Sequence, residues 1–260
     1  MSQERARLIV VEQTTSTNEL AIDAVADDAP HGTVYVADAQ SEGRGRRDVG
    51  GERRSWFSPP RRNLYMSVIA RPDLPLDRVA PITLAVGAAL ADMLQEKTGV
   101  DLWLKWPNDL YVERRKLGGV LTEGVTGPGG LEAVVIGLGL NVNVEADEFP
   151  KELRPLATSL RAETGELADR LDLALTLSQT ILAACGEYES QGLEGFSSRL
   201  ERFDRLPGRP VRVRENGAFR RGVARGIGMG GGLRVEFKDG QIVEIQSGEV
   251  QVEGIGNSGD

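Results

Sequence analysis

With one cysteine (Cys185) and one histidine (His31) in 260 residues, the chain cannot close an internal disulfide, nor supply the four nitrogen or sulfur ligands of a structural zinc site. Metal can enter only through oxygen. Nucleophilic catalysis of the Ser-His or Cys-His kind has correspondingly little support. Basic charge is also in deficit: Lys and Arg number 31 against 39 Asp and Glu, a net charge of -8. The whole-molecule field therefore repels polyanions, and any phosphate binding must be local. Aromatics make up only 5%, few for a surface that stacks single-stranded bases. Long apolar runs are missing too. The best, Val79 to Leu90, is broken by Pro81 and Thr83 and falls short of the roughly 18 residues a membrane span needs. The opening MSQERARLIV holds no signal-peptide core, so a cytoplasmic protein without a membrane partner is expected. No Walker loop, G-x-S-x-G elbow, H-E-x-x-H helix or internal repeat is present.

What remains, 40% hydrophobic and 27% charged, describes an ordinary globular chain of one large domain, or one with a small companion. Leu8 to Val11, Val34 to Ala37 and Leu64 to Ala70 read as strands. Ser16 to Glu19 offers a capping hydroxyl with a glutamate three residues on, the start of a helix. Ile82, Val86, Leu90, Met93 and Leu94 keep helical spacing until Gly99. Leu102 to Trp106, Leu117 to Glu123 and Ala133 to Asn143 are further strands, and Leu167, Leu171, Ala174, Ile181 and Cys185 form one helical stripe. Beyond Leu206-Pro207-Gly208 short alternating runs, Val211 to Arg214, Leu233 to Phe237 and Ile242 to Ile245, predict a small all-β barrel. The expectation is an α+β domain with a mixed or antiparallel sheet over 1–206, then a β module over 207–260.

Three constellations carry chemistry. Gly43-Arg44-Gly45-Arg46-Arg47 opens a stretch to Arg54 with five arginines and four glycines. Glycine admits close backbone approach, and guanidinium forks grip phosphate or carboxylate. A solvated loop or an RNA-binding tract has the same composition, but this one joins two predicted strands, where it can fold over a site. Along Ala133 to Asn143, alternation turns Gly137, Gly139, Asn141 and Asn143 to one side, a bared face for something flat or for a packed helix. Lys105-Trp106-Pro107-Asn108-Asp109-Leu110 reads as a strand entering a turn, and Lys116 then opens a strand beside Gly118 and Gly119. That lysine can deliver a point charge to a phosphate or carboxylate, or be an ordinary surface lysine.

In order along the chain, Ser16-Thr17-Asn18, Gln40, Gly43 to Arg47, Trp56-Phe57-Ser58-Pro59, Asn63-Leu64, Lys105 to Leu110, Lys116 to Gly119, Gly137 to Asn141 and Thr158-Ser159-Leu160 closely resemble the biotin protein ligases. The resemblance implies a class II synthetase-like, biotin–lipoate ligase catalytic domain followed by an SH3-like β-barrel. It implies biotin, ATP and Mg²⁺ as small partners and a biotin carboxyl carrier protein domain as acceptor. Biotin would be held by Ser16, Thr17, Asn18, Gln40, Gly43, Arg44, Gly45, Arg46, Lys116, Gly119 and Gly139. ATP and the adenylate would be held by Arg44, Arg46, Arg47, Trp56, Asn108, Lys116 and Asn141. Lys116, Arg46 and Arg44 would be the catalytic cations, and Asp109 stays open between turn structure and magnesium.

The implied chemistry is attack of the biotin carboxylate on the α-phosphate of ATP, giving biotinyl-5′-AMP, then transfer to a carrier lysine, with the glycine-rich loop ordering over the intermediate. The segment DVGGERRS before Trp56 is longer than the family pattern suggests. Only fifteen residues precede Ser16, whereas a three-helix DNA-binding unit takes roughly 40, so a short form without sequence-specific DNA binding is expected. Oligomeric state is not set, and a homodimer stays open. Two rivals are a lipoate ligase and an RNA-binding module, separable by pyrophosphate exchange with each acid and by filter binding with bulk RNA.

Overall fold

The computed structural model describes residues 6–47, 53–215, 218–246, 248–253 and 255. From the N-terminus run β1 (Arg7–Thr14), α1 (Thr17–Ala26), β2 (Thr33–Gln40), β3 (Arg44–Arg47), β4 (Arg53–Ser55), β5 (Leu64–Ala70), α2 (Ile82–Thr98), β6 (Leu102–Lys105), β7 (Asp109–Val112), β8 (Arg115–Gly127) and β9 (Gly130–Leu140). Then come α3 (Leu160–Thr164), α4 (Arg170–Gln191), α5 (Ser197–Phe203), β10 (Pro210–Glu215), β11 (Ala218–Ile227), β12 (Leu233–Phe237), β13 (Ile242–Ile245) and β14 (Glu249–Val252).

Seven strands form a mixed sheet in the order β1-β2-β5-β9-β8-β7-β6, with only β1 and β2 parallel. Alternation gives the sheet two apolar faces. On one, Leu64, Met66, Val68, Val134, Ile136 and Leu138 meet α2 and α4. On the other, Ile69, Ala133 and Val135 are covered by Ala21 and Val25 of α1. Helix α1 is short and covers only one end of that second face. The other end is where the site lies.

Helix α2 is alanine-rich and buries ten residues. It stops at Gly99, whose left-handed φ of 71° lets its N–H reach the Gln95 carbonyl at 2.9 Å. With the preceding turn it makes a helical stretch, Leu76–Thr98, of 23 residues, long and apolar enough to cross a membrane. The apolar run bounded from sequence, Val79 to Leu90, is the middle of this stretch, and the helical spacing to Gly99 agrees with its end. More than half of it is buried against the sheet and α4, the pattern of a core helix.

Two other expectations are corrected. Ser16 is the N-cap of α1 by backbone conformation, but its hydroxyl makes no cap bond, and Glu19 turns to Thr15 and Arg44. The stripe on α4 begins later than its spacing suggested: Leu167 precedes the helix and is 69% exposed, and Leu171 is 46% exposed. Ala174, Ile181 and Cys185 are buried as expected. Burial, with Glu189 nearby, pushes the Cys185 thiol up to about 12, which makes it unreactive packing.

The second sheet is antiparallel, in the order β13-β12-β11-β10-β14. Its inner residues Val211, Val213, Ala224, Leu233 and Val235 join the main core. Trp106 donates its indole N–H to the Gly231 carbonyl at 2.8 Å, and Gly231, at φ 84°, sits where a side chain would press on Pro81 and Leu84.

Asp204 stands at this junction, bridged to Leu104 and accepting from the Leu206 N–H at 2.9 Å. Burial pushes its carboxyl up to about 6 from 3.8. A raised acid pKa means the folded state favours the proton, so ionisation costs stability increasingly as pH rises from about 4 through 6. Asp204→Asn keeps the acceptor and removes that cost. Its expected gain is about 1–3 kcal/mol, or roughly 2–6 °C in Tm, at pH 8, vanishing toward pH 4, as checked by calorimetry at both.

Candidate active site

Strand register builds the site. On the face that α1 leaves open, Lys105, Asp109, Gly119, Gly139 and Tyr65 lie in one row across five strands, and Leu121, Gly137 and Ser67 in the next. Missing side chains along these rows leave a trough. The loop around β3, the turn between β6 and β7, the 149–157 segment and the second sheet wall it into a cavity of about 720 Å³.

At the inner end the polar groups lock one another. Gln40 Oε1 accepts from the Thr17 N–H at 2.9 Å, and Gln40 Nε2 lies 3.4 Å from Ser58 Oγ. The Ser67 hydroxyl is 2.8 Å from Thr17 Oγ1 and 2.6 Å from Asn18 Oδ1. Asn18 Nδ2 donates to Glu123 at 2.7 Å and to the Leu121 carbonyl at 3.3 Å. Its carboxamide rests on Gly137, where a Cβ would collide with it.

At the outer end charge gathers. Lys116 Nζ is 2.7 Å from Asp109 Oδ1 and 5.2 Å from the Trp56 ring centroid. Gly119 permits that pair, since a Cβ there would come within 3.0 Å of Asp109 Oδ1. The Lys116 backbone is pinned by Leu156 and Thr158, with bonds of 2.7 and 2.9 Å. Arg44 is paired with Glu19, whose carboxyl is held below its usual range by the Thr15 hydroxyl first and Arg44 second. Among the described residues the lining carries five basic side chains, Arg44, Arg46, Lys105, Lys116 and Arg214, against two acids, Asp109 and Glu244. A chain of net charge -8 thus concentrates cations here. Moreover, among the described residues three buried donors on this lining, Arg44 Nε, Trp56 Nε1 and Arg214 Nε, have no acceptor. Buried donors are ordinarily satisfied, so the cavity is built for a ligand rich in acceptors.

Of the residues singled out from sequence, Ser16, Thr17, Asn18, Gln40, Arg44, Gly45, Arg46, Trp56, Asn108, Asp109, Lys116, Gly119, Gly139 and Asn141 all line this cavity. Gly43 stands beside it, accepting from the Trp56 N–H at 2.7 Å and crowded by Gln40 and Ser58. Arg47 closes β3, and its side chain lies outside the described residues, as does the 48–52 segment. The bared strand face is explained in an unexpected way: the flat group on Gly139 is the chain's own Trp56, 2.9 Å from where a Cβ would sit. Strand β9 also ends at Leu140, so Asn141 and Asn143 act from the segment beyond it.

Several contributors escaped sequence reasoning. Ser67 and Glu123 sit in strands whose pattern reads as core or solvent face, and Arg214, Ile245 and Gln246 reach the cavity from the second sheet. Asn63 is fully buried, donating to Asn141 Oδ1 at 3.0 Å and accepting from the Val142 N–H at 3.0 Å, while Asn141 donates to the Thr158 carbonyl at 2.9 Å. Asn63→Ala strands two buried groups. A loss of about 2–4 kcal/mol is expected by urea unfolding, and Asn63→Asp does not restore it because the donor to Asn141 is gone.

The sequence profile of the Biotin/lipoate A/B protein ligase family matches residues 10–141. The chain is 33% identical over 246 residues to the bifunctional ligase/repressor BirA of Bacillus spizizenii, covering 94% of this chain and 74% of that one. It is 32% identical over 250 residues to the biotin--[acetyl-CoA-carboxylase] ligase of Mycobacterium tuberculosis, covering 94% and 88%. The fold superposes on the biotin protein ligase of Aquifex aeolicus, solved with biotin and ATP, with TM-score 0.79 and 29% identity over 95% of this chain and 98% of that one.

Proposed function

The chain belongs to the biotin/lipoate A/B protein ligase family, and from that premise we propose that it activates biotin with ATP to biotinyl-5′-AMP and transfers the biotinyl group to a lysine of a biotin carboxyl carrier protein domain in the cytoplasm. The observation that carries this reading is the cluster of acceptor-seeking cations on a bared sheet face, in a protein otherwise acidic. Residues 1–206 are the catalytic unit in this reading and 207–260 a β module bordering the cavity.

In the first step the biotin carboxylate attacks the α-phosphorus and pyrophosphate leaves with the electron pair of the broken P–O bond. Two anions must meet, so the protein's work is neutralisation and alignment by Arg44, Arg46 and Lys116. The polar inner end, Thr17, Asn18 and Gln40, suits the biotin ureido ring, and Trp56, Asn108 and Asn141 suit the nucleotide. In the second step the carrier amine attacks the acyl carbon and AMP leaves. No enzyme nucleophile is needed: Cys185 is buried in α4, and His31 accepts from the Arg71 N–H at 3.1 Å through Nδ1.

Among the described residues no three His, Cys, Asp or Glu side chains cluster as a metal cage. The donor set fits a Mg²⁺ carried by the nucleotide's phosphates, with Asp109 and Glu244 the carboxylates on the described lining. The ion would supply further neutralisation of phosphate charge.

Biotin-dependent exchange of labelled pyrophosphate into ATP tests the reading directly. Exchange with lipoate in place of biotin would overturn it. Arg46→Gly, which opens the glycine-rich loop, is expected to release free biotinyl-5′-AMP and to label bystander lysines, as checked by chromatography and avidin blotting.

A further inference from the structure

The second sheet brings a cation of its own to the cavity. Arg214 lies on β10, with Phe219 of β11 and Glu249 of β14 as its strand partners. Val211 and Val213 face the core, so alternation turns Arg212 and Arg214 to the other side, where both guanidinium groups lie against Phe219, at 4.7 and 5.7 Å from its ring centroid. Only Arg214 of the two also lines the cavity. Its Nε is buried and has no acceptor, and its guanidinium has no carboxylate partner among the described residues. Arg44 and Lys116, by contrast, are each already in an ion pair. An arginine half-buried on an aromatic ring is held in place, and an unsatisfied donor bordering a cavity costs stability unless a ligand accepts from it.

We infer that Arg214 binds the β- and γ-phosphates of ATP and so steadies the departing pyrophosphate. This rests on the proposed ligase reading. The acid and the triphosphate bring more negative charge than the paired cations of the first sheet can meet, and the new charge of the reaction appears on the leaving group. Arg44, Arg46 and Lys116 come from the first sheet and its loop. Arg214 reaches the cavity from the second sheet, with no ion pair among the described residues to occupy it, and so is available for the far end of the triphosphate. A guanidinium fork suits adjacent phosphate oxygens better than an ammonium does.

The test separates the two half-reactions. In Arg214→Ala the KM for ATP in biotin-dependent pyrophosphate exchange should rise about 10- to 100-fold, as expected for a lost charge-assisted bond. The KM for biotin should stay within about twofold. Transfer from preformed biotinyl-5′-AMP to the carrier domain should be unchanged, because that compound has no β- or γ-phosphate. Arg214→Lys should recover part of the loss. An unchanged KM for ATP, or an equal loss in transfer from the preformed adenylate, would overturn the inference; the second result would assign Arg214 to carrier docking or to holding the sheet. If Arg214→Ala does not fold, Arg214→Gln is read in the same way. Failure of the wild type to exchange pyrophosphate would sink the ligase reading instead, which keeps the two claims distinguishable.

Discussion

Lys116→Ala is expected to lower the rate of biotinyl-5′-AMP formation by about 10²–10³, the loss typical of removing one preorganised stabilising group. The side chain is fixed from three sides: Asp109 at 2.7 Å, the Trp56 face at 5.2 Å, and a backbone tied to the 156–158 segment. Removing the ammonium also leaves the Asp109 carboxylate unneutralised in a cavity that must take a carboxylate and a triphosphate, so one deletion turns an attractive centre into a repulsive one. Lys116→Arg should not restore the rate, because a planar guanidinium does not reproduce the compact point charge that the ammonium sets 2.7 Å from Asp109. Rapid-quench measurement of a single turnover, with a melting curve to show that the fold is kept, checks both. A reduction smaller than about fivefold would remove Lys116 from the catalytic group.

How much of this could be read in the sequence depended on how local the cause was. Strand β5 was delimited correctly because an uninterrupted apolar run needs no tertiary help, and the stripped face of β9 followed from alternation alone. Even there the pattern showed a bare surface without showing that Trp56 lies on it. Strand β7 was hidden because Pro107-Asn108-Asp109 carries turn chemistry up to the residue where pairing begins. Strand β11, AFRRGVARGI, mixes arginine and glycine into a pattern that reads as loop, and its pairing to β10 and β12 comes from neighbours distant from it in type. The capping signal at Ser16 misjudged the side chains for a related reason. Glu19 has a competing partner in Arg44, twenty-five residues away, and the ion pair wins over the cap. Arg214 was invisible as a site residue, since only the docking of the second sheet brings it to the cavity.

The same contrast between local and tertiary causes sets the second large effect, at Gly137. Alanine is ordinarily mild in a strand, and it carries only one methyl group more. Here that methyl would meet the Asn18 carboxamide, with Oδ1, Cγ and Nδ2 the three nearest atoms. Asn18 cannot swing aside cheaply, because Ser67, Glu123 and the Leu121 carbonyl hold both ends of the amide. Displacing it would break those bonds, taking from the buried Ser67 hydroxyl the nearer of its two partners. Gly137→Ala is therefore expected to weaken biotin binding about 10- to 100-fold and to lower stability by about 1–3 kcal/mol, with nucleotide binding at the outer end little changed. Isothermal titration with biotin and with ATP, together with thermal melting, reads all three quantities. Pairing the change with Asn18→Ala makes the argument sharper: if the collision is the cause, the double variant should recover the melting temperature lost in Gly137→Ala while biotin affinity stays low. Recovery of neither would mean that the glycine is required for the backbone itself and not for the amide resting on it.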